Sequence, residues 1–469
     1  MAAACLHFVI LVLIARYLGV ERYGQLSYVL AFVGVFEFVA NAGLGQILVR
    51  EIAVRAEGVR RVVGVTKSLM WALSLLTFAA IVVAVHLIGA TPEIRLAMYL
   101  AAGGVIAVIH AAAYSAVFRA FEEMEVNAAA FVVEKVAFLV LVAAGIRLDG
   151  GLLAMCGAMF FAEVLLCAYY FVVLWRRHFR PRVYVDFRQW WVLLAESLPL
   201  GVSAIVRRIS WQADILILAT FGMTAAVGYF SAGHRLIQSL NLVPLTVAQV
   251  TFPAFSRLAR GTPEDLRTAL ERAVKLILLL SFASAVTLAA AADRVVDVLY
   301  GSAFAPAAIP LAVMGVSLLF LFPSSLFMFI FTAMGIQRIF TLAALASLAV
   351  KVAVDVALIP FLGHIGASLG MLAGEAVLCV TASAVLASRT LRVPWVRLAW
   401  RPGLAALAMG TVLWAVRGTG LVLFVAGVLL GGALYASILL LLRAISPGEI
   451  AVIRSTIRPH LRSVSSQTE

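Results

Sequence analysis

The chain has 469 residues, 64% hydrophobic and 13% charged, against about 25% charged and about 45–50% apolar in soluble domains; a soluble enzyme or binding module is excluded. A net charge of +13 would suit nucleic acid, but the Lys and Arg residues recur in short clusters between long apolar runs. That is the pattern of loops between membrane spans, and no nucleic-acid partner is expected.

Fourteen apolar runs follow in chain order: 2–15, 25–47, 66–89, 95–118, 127–146, 151–174, 193–220, 225–252, 273–292, 306–333, 340–361, 365–387, 400–416 and 420–442. The first is short for a span and lacks the basic start and small-residue cleavage site of a signal peptide, so helix one is expected to begin upstream of Met1. Loops after even-numbered spans, with the C-terminal tail, hold 25 Lys and Arg, among them Arg50, Arg55, Arg60, Arg61 and Lys67 after span two. The opposite loops hold 6 and the spans 5, a bias that places both termini in the cytoplasm. The basic tail, Ile445 to Glu469, reads as a short interfacial helix and topology anchor. Cys5, Cys156, Cys167 and Cys379 fall inside apolar runs with no metal-ligand spacing, so no metal site is expected.

The chain also resembles itself. Leu18-Gly19-Val20-Glu21-Arg22-Tyr23-Gly24-Gln25-Leu26-Ser27, between spans one and two, is similar to Phe221-Gly222 through Val227-Gly228-Tyr229-Phe230-Ser231, between spans seven and eight. Glycine permits a tight external turn in both copies. Lys135 and Glu163 in spans five and six are matched by Lys351 and Glu375 in spans eleven and twelve. The offsets of about 203, 216 and 212 residues, with both copies entering from the same side, describe a parallel repeat. The expected fold is therefore all-α: a polytopic membrane protein of about 14 helices in two pseudo-symmetric six-helix lobes plus two C-terminal helices. The expected domains are 1–176, 190–390, 395–443 for the last two spans and 444–469 for the tail.

Several marks together resemble a known family. They are Asp214 before an apolar run, Val227-Gly228-Tyr229-Phe230-Ser231, His234-Arg235-Leu236, Phe252-Pro253 with Ser256-Arg257-Leu258, the stretch Ala15 to Glu51, and Leu358-Ile359-Pro360 followed by Gly363, Gly366 and Ala367. In combination they are similar to the oligosaccharide flippases of polysaccharide biosynthesis, within the multidrug/oligosaccharidyl-lipid/polysaccharide exporter superfamily. The sequence departs from that pattern in lacking a full first helix and in carrying Asp355 where an amide is common. The resemblance implies two six-helix lobes around a central cavity and alternating access, moving a polyprenyl-diphosphate-linked glycan from the cytoplasmic to the outer leaflet of a bacterial inner membrane. The alternatives are a cation-coupled exporter of organic cations, a flippase of the lipid II type, and a scaffold for a glycan-assembly complex. No GxxxxGK[ST] occurs and no large extramembrane loop carries paired carboxylates, which argues against ATP hydrolysis and against an enzyme.

Twelve charges lie within the spans, too many to face lipid. Guanidinium groups suit diphosphate, so Arg207, Arg208 and Arg235 are expected to bind it, with Lys135 and Lys351 placed quasi-symmetrically. The alternative is an interlobe salt-bridge network with Glu37, Glu163 and Glu375. Glu37, Glu134, Glu163, Asp214, Asp355 and Glu375 are candidates for ion coupling or an interlobe gate. Lys351 and Asp355, four residues apart, have the spacing of a local ion pair. Pro199 and Gly201 in span seven form a candidate hinge that swings the arginine pair. No cofactor is expected beyond H+, Na+ or the membrane potential as driving force. A monomer working beside a polymerase or glycosyltransferases is the expected setting.

Overall fold

The computed structural model describes residues 2–41, 43–54, 59–180 and 182–444, with side chains described for all but 2–5, 38–41, 46, 49–50, 53–54 and 198–204. The tail expected as an interfacial helix lies outside the described residues. The described residues form α-helices with no strand among them, as expected where no water is present to bond an open backbone.

In chain order they are α1 (Ala2–Asn41), α2 (Leu44–Val54), α3 (Val59–Leu87), α4 (Pro92–Ala120), α5 (Met124–Arg147), α6 (Gly151–Arg177), α7 (Phe187–Thr220) and α8 (Thr224–Leu240). The chain continues with α9 (Leu242–Leu258), α10 (Pro263–Tyr300), a 3-10 segment (Ser302–Ala307), α11 (Ala308–Ala333), α12 (Gln337–Leu362), α13 (His364–Ser388), α14 (Trp395–Val416) and α15 (Leu421–Leu441). Nine helical segments among the described residues are long and apolar enough to cross a membrane: α3, α4, α5, α6, α10, α11 with its preceding turn, α12, α13 and α15. The first two expected spans are the two arms of α1 with α2, and the eighth is α8 followed by α9.

Local chemistry sets the ends. Thr91 caps α4 by accepting from the Ile94 backbone N–H at 3.5 Å, with Pro92 in the first turn. Asp186 caps α7 through the Gln189 N–H at 3.1 Å, and Thr262 caps α10 through the Asp265 N–H at 3.2 Å. The helix α10, of 38 residues, outruns the expected 273–292 because its first turns are amphipathic and carry Glu264, Asp265, Arg267 and Glu271. The helix α3 begins earlier than expected for the same reason. Lys67, read from the sequence as a loop charge, lies about 12 Å inside that helix and is 4% exposed.

Packing repeats between the halves. In the first half α4 packs on α3 and α6, α5 on α6, and α1 on α5; in the second, α11 packs on α10 and α13, α12 on α13, and α7 on α12. The helix α14 packs on α10 and α15, and Tyr435 of α15 donates to the Leu279 carbonyl at 2.7 Å.

The halves meet where α1 crosses α8. Gly19 and Gly222, 203 residues apart, both have φ 70, so each copy of the repeated motif turns through the same left-handed residue. The second glycine of each motif has a different task. A Cβ on Gly24 would collide with the Thr224 carbonyl, and a Cβ on Gly228 with the Val20 carbonyl. Val20 and Thr224 are 204 apart, as are Gly24 and Gly228, so the contact is self-complementary in the manner of a two-fold interface. At the same end Arg16 donates to the carbonyls of Val298 at 2.5 Å and Leu299 at 2.7 Å, neutralising the C-terminus of α10.

Candidate functional site

Lys135 and Lys351 occupy corresponding places on α5 and α12, and each reaches the first long helix of its own half. The Lys135 Nζ lies 3.2 Å from the His7 Nδ1 of α1; the Lys351 Nζ donates to the Ser210 carbonyl of α7. His7 and Ser210 are themselves 203 apart. The anionic partners differ. Lys351 pairs with Asp214 of α7 at 2.6 Å, both side chains almost fully enclosed. Lys135 pairs with its neighbour Glu134 at 2.8 Å.

The local Lys351–Asp355 pair suggested by spacing is therefore not the contact that forms. Asp355 instead turns toward Asp214 and α13. Space for this comes from α13, where a Cβ on Gly370 would collide with the Asp355 carboxylate and one on Gly374 would press on Lys351. This is close packing through small residues four apart.

Arg208 spans the halves. It makes an ion pair with Glu37 of α1, and its Nε donates to the Gly34 carbonyl at 3.2 Å. The pair is not enclosed, with the Arg208 side chain 43% and Glu37 28% exposed. Arg207, on the adjacent face, lies within electrostatic range of Glu375 of α13, with no ion pair closer than 4 Å among the described residues. Arg235 of α8 lies near Tyr23 and His7 of the other half, and its guanidinium donates to Gln238 at 3.3 Å. Glu163 of α6 lies within range of Glu134, Lys135 and Glu37, beside a small cavity of about 110 Å³ that also touches Leu30 and Gly104. One buried carboxylate oxygen of Glu163 and one of Glu375 have no hydrogen-bond partner among the described residues.

Two groups of the expected residues thus come together. Arg208, Glu37, Arg235, Lys135, Glu134 and Glu163 lie at or beside the seam between the halves; Lys351, Asp214 and Asp355 form a knot inside the second, with Arg207 and Glu375 close by. The backbone is helical through Pro199 and Gly201, while the side-chain packing of 198–204, and with it the proposed hinge, lies outside what is described.

The sequence profile described as "Polysaccharide biosynthesis protein" matches residues 1–259, more than half of the 469. The chain belongs to this family. The match spans the first half, the linker, α7, α8 and α9, and so covers the seam on both sides.

Several solved structures share this fold. The chain is similar to a lipid II flippase MurJ in an inward closed conformation, with a TM-score of 0.76, 16% identity, and coverage of 93% of this chain and 96% of that one. A multidrug resistance MATE family transporter of the MOP superfamily, inward-facing, follows with a TM-score of 0.65, 18% identity and coverage of 83% and 95%. A MOP superfamily transporter from Pyrococcus furiosus gives 0.57, 16% identity, and 83% and 92%. No curated protein matches the chain. At these identities the likeness is one of fold. It makes the chain a multi-pass membrane protein with the architecture of MOP superfamily transporters.

Sequence reasoning missed one cluster. Lys67 of α3 sits 2.7 Å from the His110 Nδ1 of α4 and 3.9 Å from the centroid of the Tyr114 ring, beside a pocket that none of the seam charges lines. The signal was a lone lysine two residues into an apolar run, facing a histidine one helix away.

Proposed function

We propose that the chain is a flippase that moves a polyprenyl-diphosphate-linked oligosaccharide or polysaccharide repeat unit across the inner membrane of a bacterium by alternating access. The carrying observation is the half-exposed Arg208–Glu37 pair between the halves, with Lys135 and Arg235 beside it. A partly solvated ion pair contributes only about 0–1 kcal/mol, so an incoming diphosphate can displace Glu37 at little cost. Arginine offers the anion planar paired donors that stay charged. The halves, acting as lobes, open on the cytoplasmic side to admit the head group while the prenyl chain stays in lipid.

In this reading the α1–α8 contact through Gly24 and Gly228, with Arg16 on the end of α10, is the outer gate. The Lys and Arg bias supports this end being outside and both termini cytoplasmic. Glu163 and Glu375, each with a buried oxygen lacking a donor, are the sites where a proton or sodium ion assists the return step. The chain acts as a monomer and receives its substrate from glycosyltransferases. An exporter of organic cations would want a net-anionic path, whereas at this seam Lys135, Arg208 and Arg235 balance Glu37, Glu134 and Glu163.

The test is transfer of a lipid-linked oligosaccharide in proteoliposomes. Arg207→Ala with Arg208→Ala is expected to slow it about 10- to 100-fold, the value of one or two charge-assisted hydrogen bonds. Full activity in that double variant sinks the binding role.

A further inference from the structure

A second cavity, of about 530 Å³, lies on the flank of the first half, between α3, α4, α6 and the linker that joins α6 to α7. Its volume is that of an ordinary ligand site. None of the seam charges lines it. Its polar lining is Lys67, His110, Tyr114, Cys167 and Arg182, with no carboxylate among them, and Trp71 closes one side.

Lys67 is the unusual member. It is buried in a membrane helix, yet no carboxylate comes within 4 Å of its Nζ among the described residues. Its neighbours are the His110 Nδ1 at 2.7 Å, the His110 carbonyl at 3.5 Å and the Tyr114 ring face. These supply an acceptor and a quadrupole but no negative charge. His110 is in turn held by Trp71, with ring centroids 4.2 Å apart, and by the Ser74 hydroxyl at 3.4 Å.

Arg182 is held over the same space by a strapped linker. The Tyr184 N–H donates to the Gly64 carbonyl at 3.3 Å, Ser68 donates to the Tyr184 carbonyl at 2.7 Å, and the Trp190 indole donates to Ser68 at 2.9 Å. A side chain on Gly64 would strike the Arg182 carbonyl and the Tyr184 ring, so the strap depends on a bare α3 surface. Arg61 pairs with Asp186 at 3.4 Å on its outer side.

Around these cations the surface is apolar and faces away from the protein: Trp71 is 54%, Val164 39% and Val183 61% exposed. Trp71 and Val164 lie on the membrane helices α3 and α6, where that surface meets lipid. The linker end carries Arg60, Arg61, Arg176, Arg177 and Arg180, which places the cavity at the depth of cytoplasmic phosphates. Basic pockets between membrane helices on this side suit anionic head groups.

We infer that this cavity binds the phosphate head group of an anionic phospholipid from the surrounding bilayer, held by Lys67 and Arg182, with an acyl chain lying along Trp71 and Val164. The site is independent of the proposed transport of a glycan. The occupant is a bilayer lipid because the cavity opens to the flank and shares no residue with the seam.

Trp71 is the reporter. The purified full chain, reconstituted in phosphatidylcholine nanodiscs, is titrated with brominated phosphatidylglycerol or brominated phosphatidylcholine, and the Trp71 signal is taken as the difference from Trp71→Phe. Phosphatidylglycerol is expected to quench at a mole fraction about 25-fold lower than phosphatidylcholine, about 5-fold for each cation. Lys67→Gln with Arg182→Gln should abolish the preference. Arg182→Gln alone, on the linker and outside the helix core, should reduce it about 5-fold with the fold intact. Equal quenching by both lipids overturns the proposal, as does a preference that survives in the double variant. Displacement of phosphatidylglycerol by inorganic phosphate alone, or by an equimolar polyprenyl phosphate, would also overturn it by moving the site to a free anion or to the transported lipid.

Discussion

The two halves solve one problem in two ways. Each buries a lysine at a matching place, Lys135 on α5 and Lys351 on α12, and each lysine touches the facing helix at matching positions, His7 and Ser210. In the second half the countercharge, Asp214, comes from the facing helix, so the ion pair ties α7 to α12 deep in the protein. In the first half the countercharge, Glu134, sits on the same helix as the lysine, and the lysine itself meets α1 at His7. A cation locked by a buried carboxylate belongs to the fold. We propose that the cation neutralised by its own neighbour, with 14% of its side chain exposed, is the one lent to an anionic ligand.

The comparison breaks most visibly at Asp214. Lys351→Ala leaves Asp214 and Asp355 facing each other with no cation, and Asp214→Ala takes from Lys351 the carboxylate that ties α12 to α7; each should cost about 3–5 kcal/mol, read as unfolding in detergent. Lys351→Met with Asp214→Leu should recover much of that loss, and single variants as stable as the parent would refute the structural role. Next comes the space that admits the knot. Gly370→Ala drives a methyl group into the Asp355 carboxylate and should cost about 1–3 kcal/mol, whereas Gly157→Ala, with open space around it, should cost none.

The outer contact gives a conformational effect. Gly24→Val and Gly228→Val, which meet opposite carbonyls, should each part α1 from α8. Spin labels at Glu21 and Thr220 would then show a longer-distance population in both variants, and the parent distance in either one would contradict the paired role. The smallest stability change belongs to Lys135. Lys135→Gln, which keeps a donor beside the buried Glu134, should cost about 1 kcal/mol, less than the changes at Asp214, yet slow transfer about 10-fold. A large loss of stability there would make the halves alike after all.

Much of the architecture is legible in the sequence because apolar runs long enough to span a bilayer have few other uses. The repeat was visible for a similar reason: Gly19 with Gly222 and Lys135 with Lys351 stand out against apolar surroundings. Pairings across distance were not legible. Asp214 and Lys351 are far apart in the chain, as are Glu37 and Arg208, and the nearby Asp355 offered Lys351 a more obvious partner. Lys67 was hidden by its position at the edge of an apolar run, where a charge usually belongs to the loop. Gly19 and Gly222 make the turns that glycine in the repeated motif led one to expect, whereas the backbone contacts admitted by Gly24 and Gly228 join helices far apart in the chain and were not legible.

The central claim is that Arg208 exchanges Glu37 for the diphosphate of its cargo. It is tested most directly by measuring the affinity of the reconstituted chain for a polyprenyl-diphosphate-linked oligosaccharide in Glu37→Gln and in Arg208→Gln. Removing the competing carboxylate should tighten binding about 5-fold, and removing the guanidinium should weaken it by about 10-fold or more. Unchanged affinity in Arg208→Gln, or weaker binding in Glu37→Gln, would show that the pair merely holds the halves together.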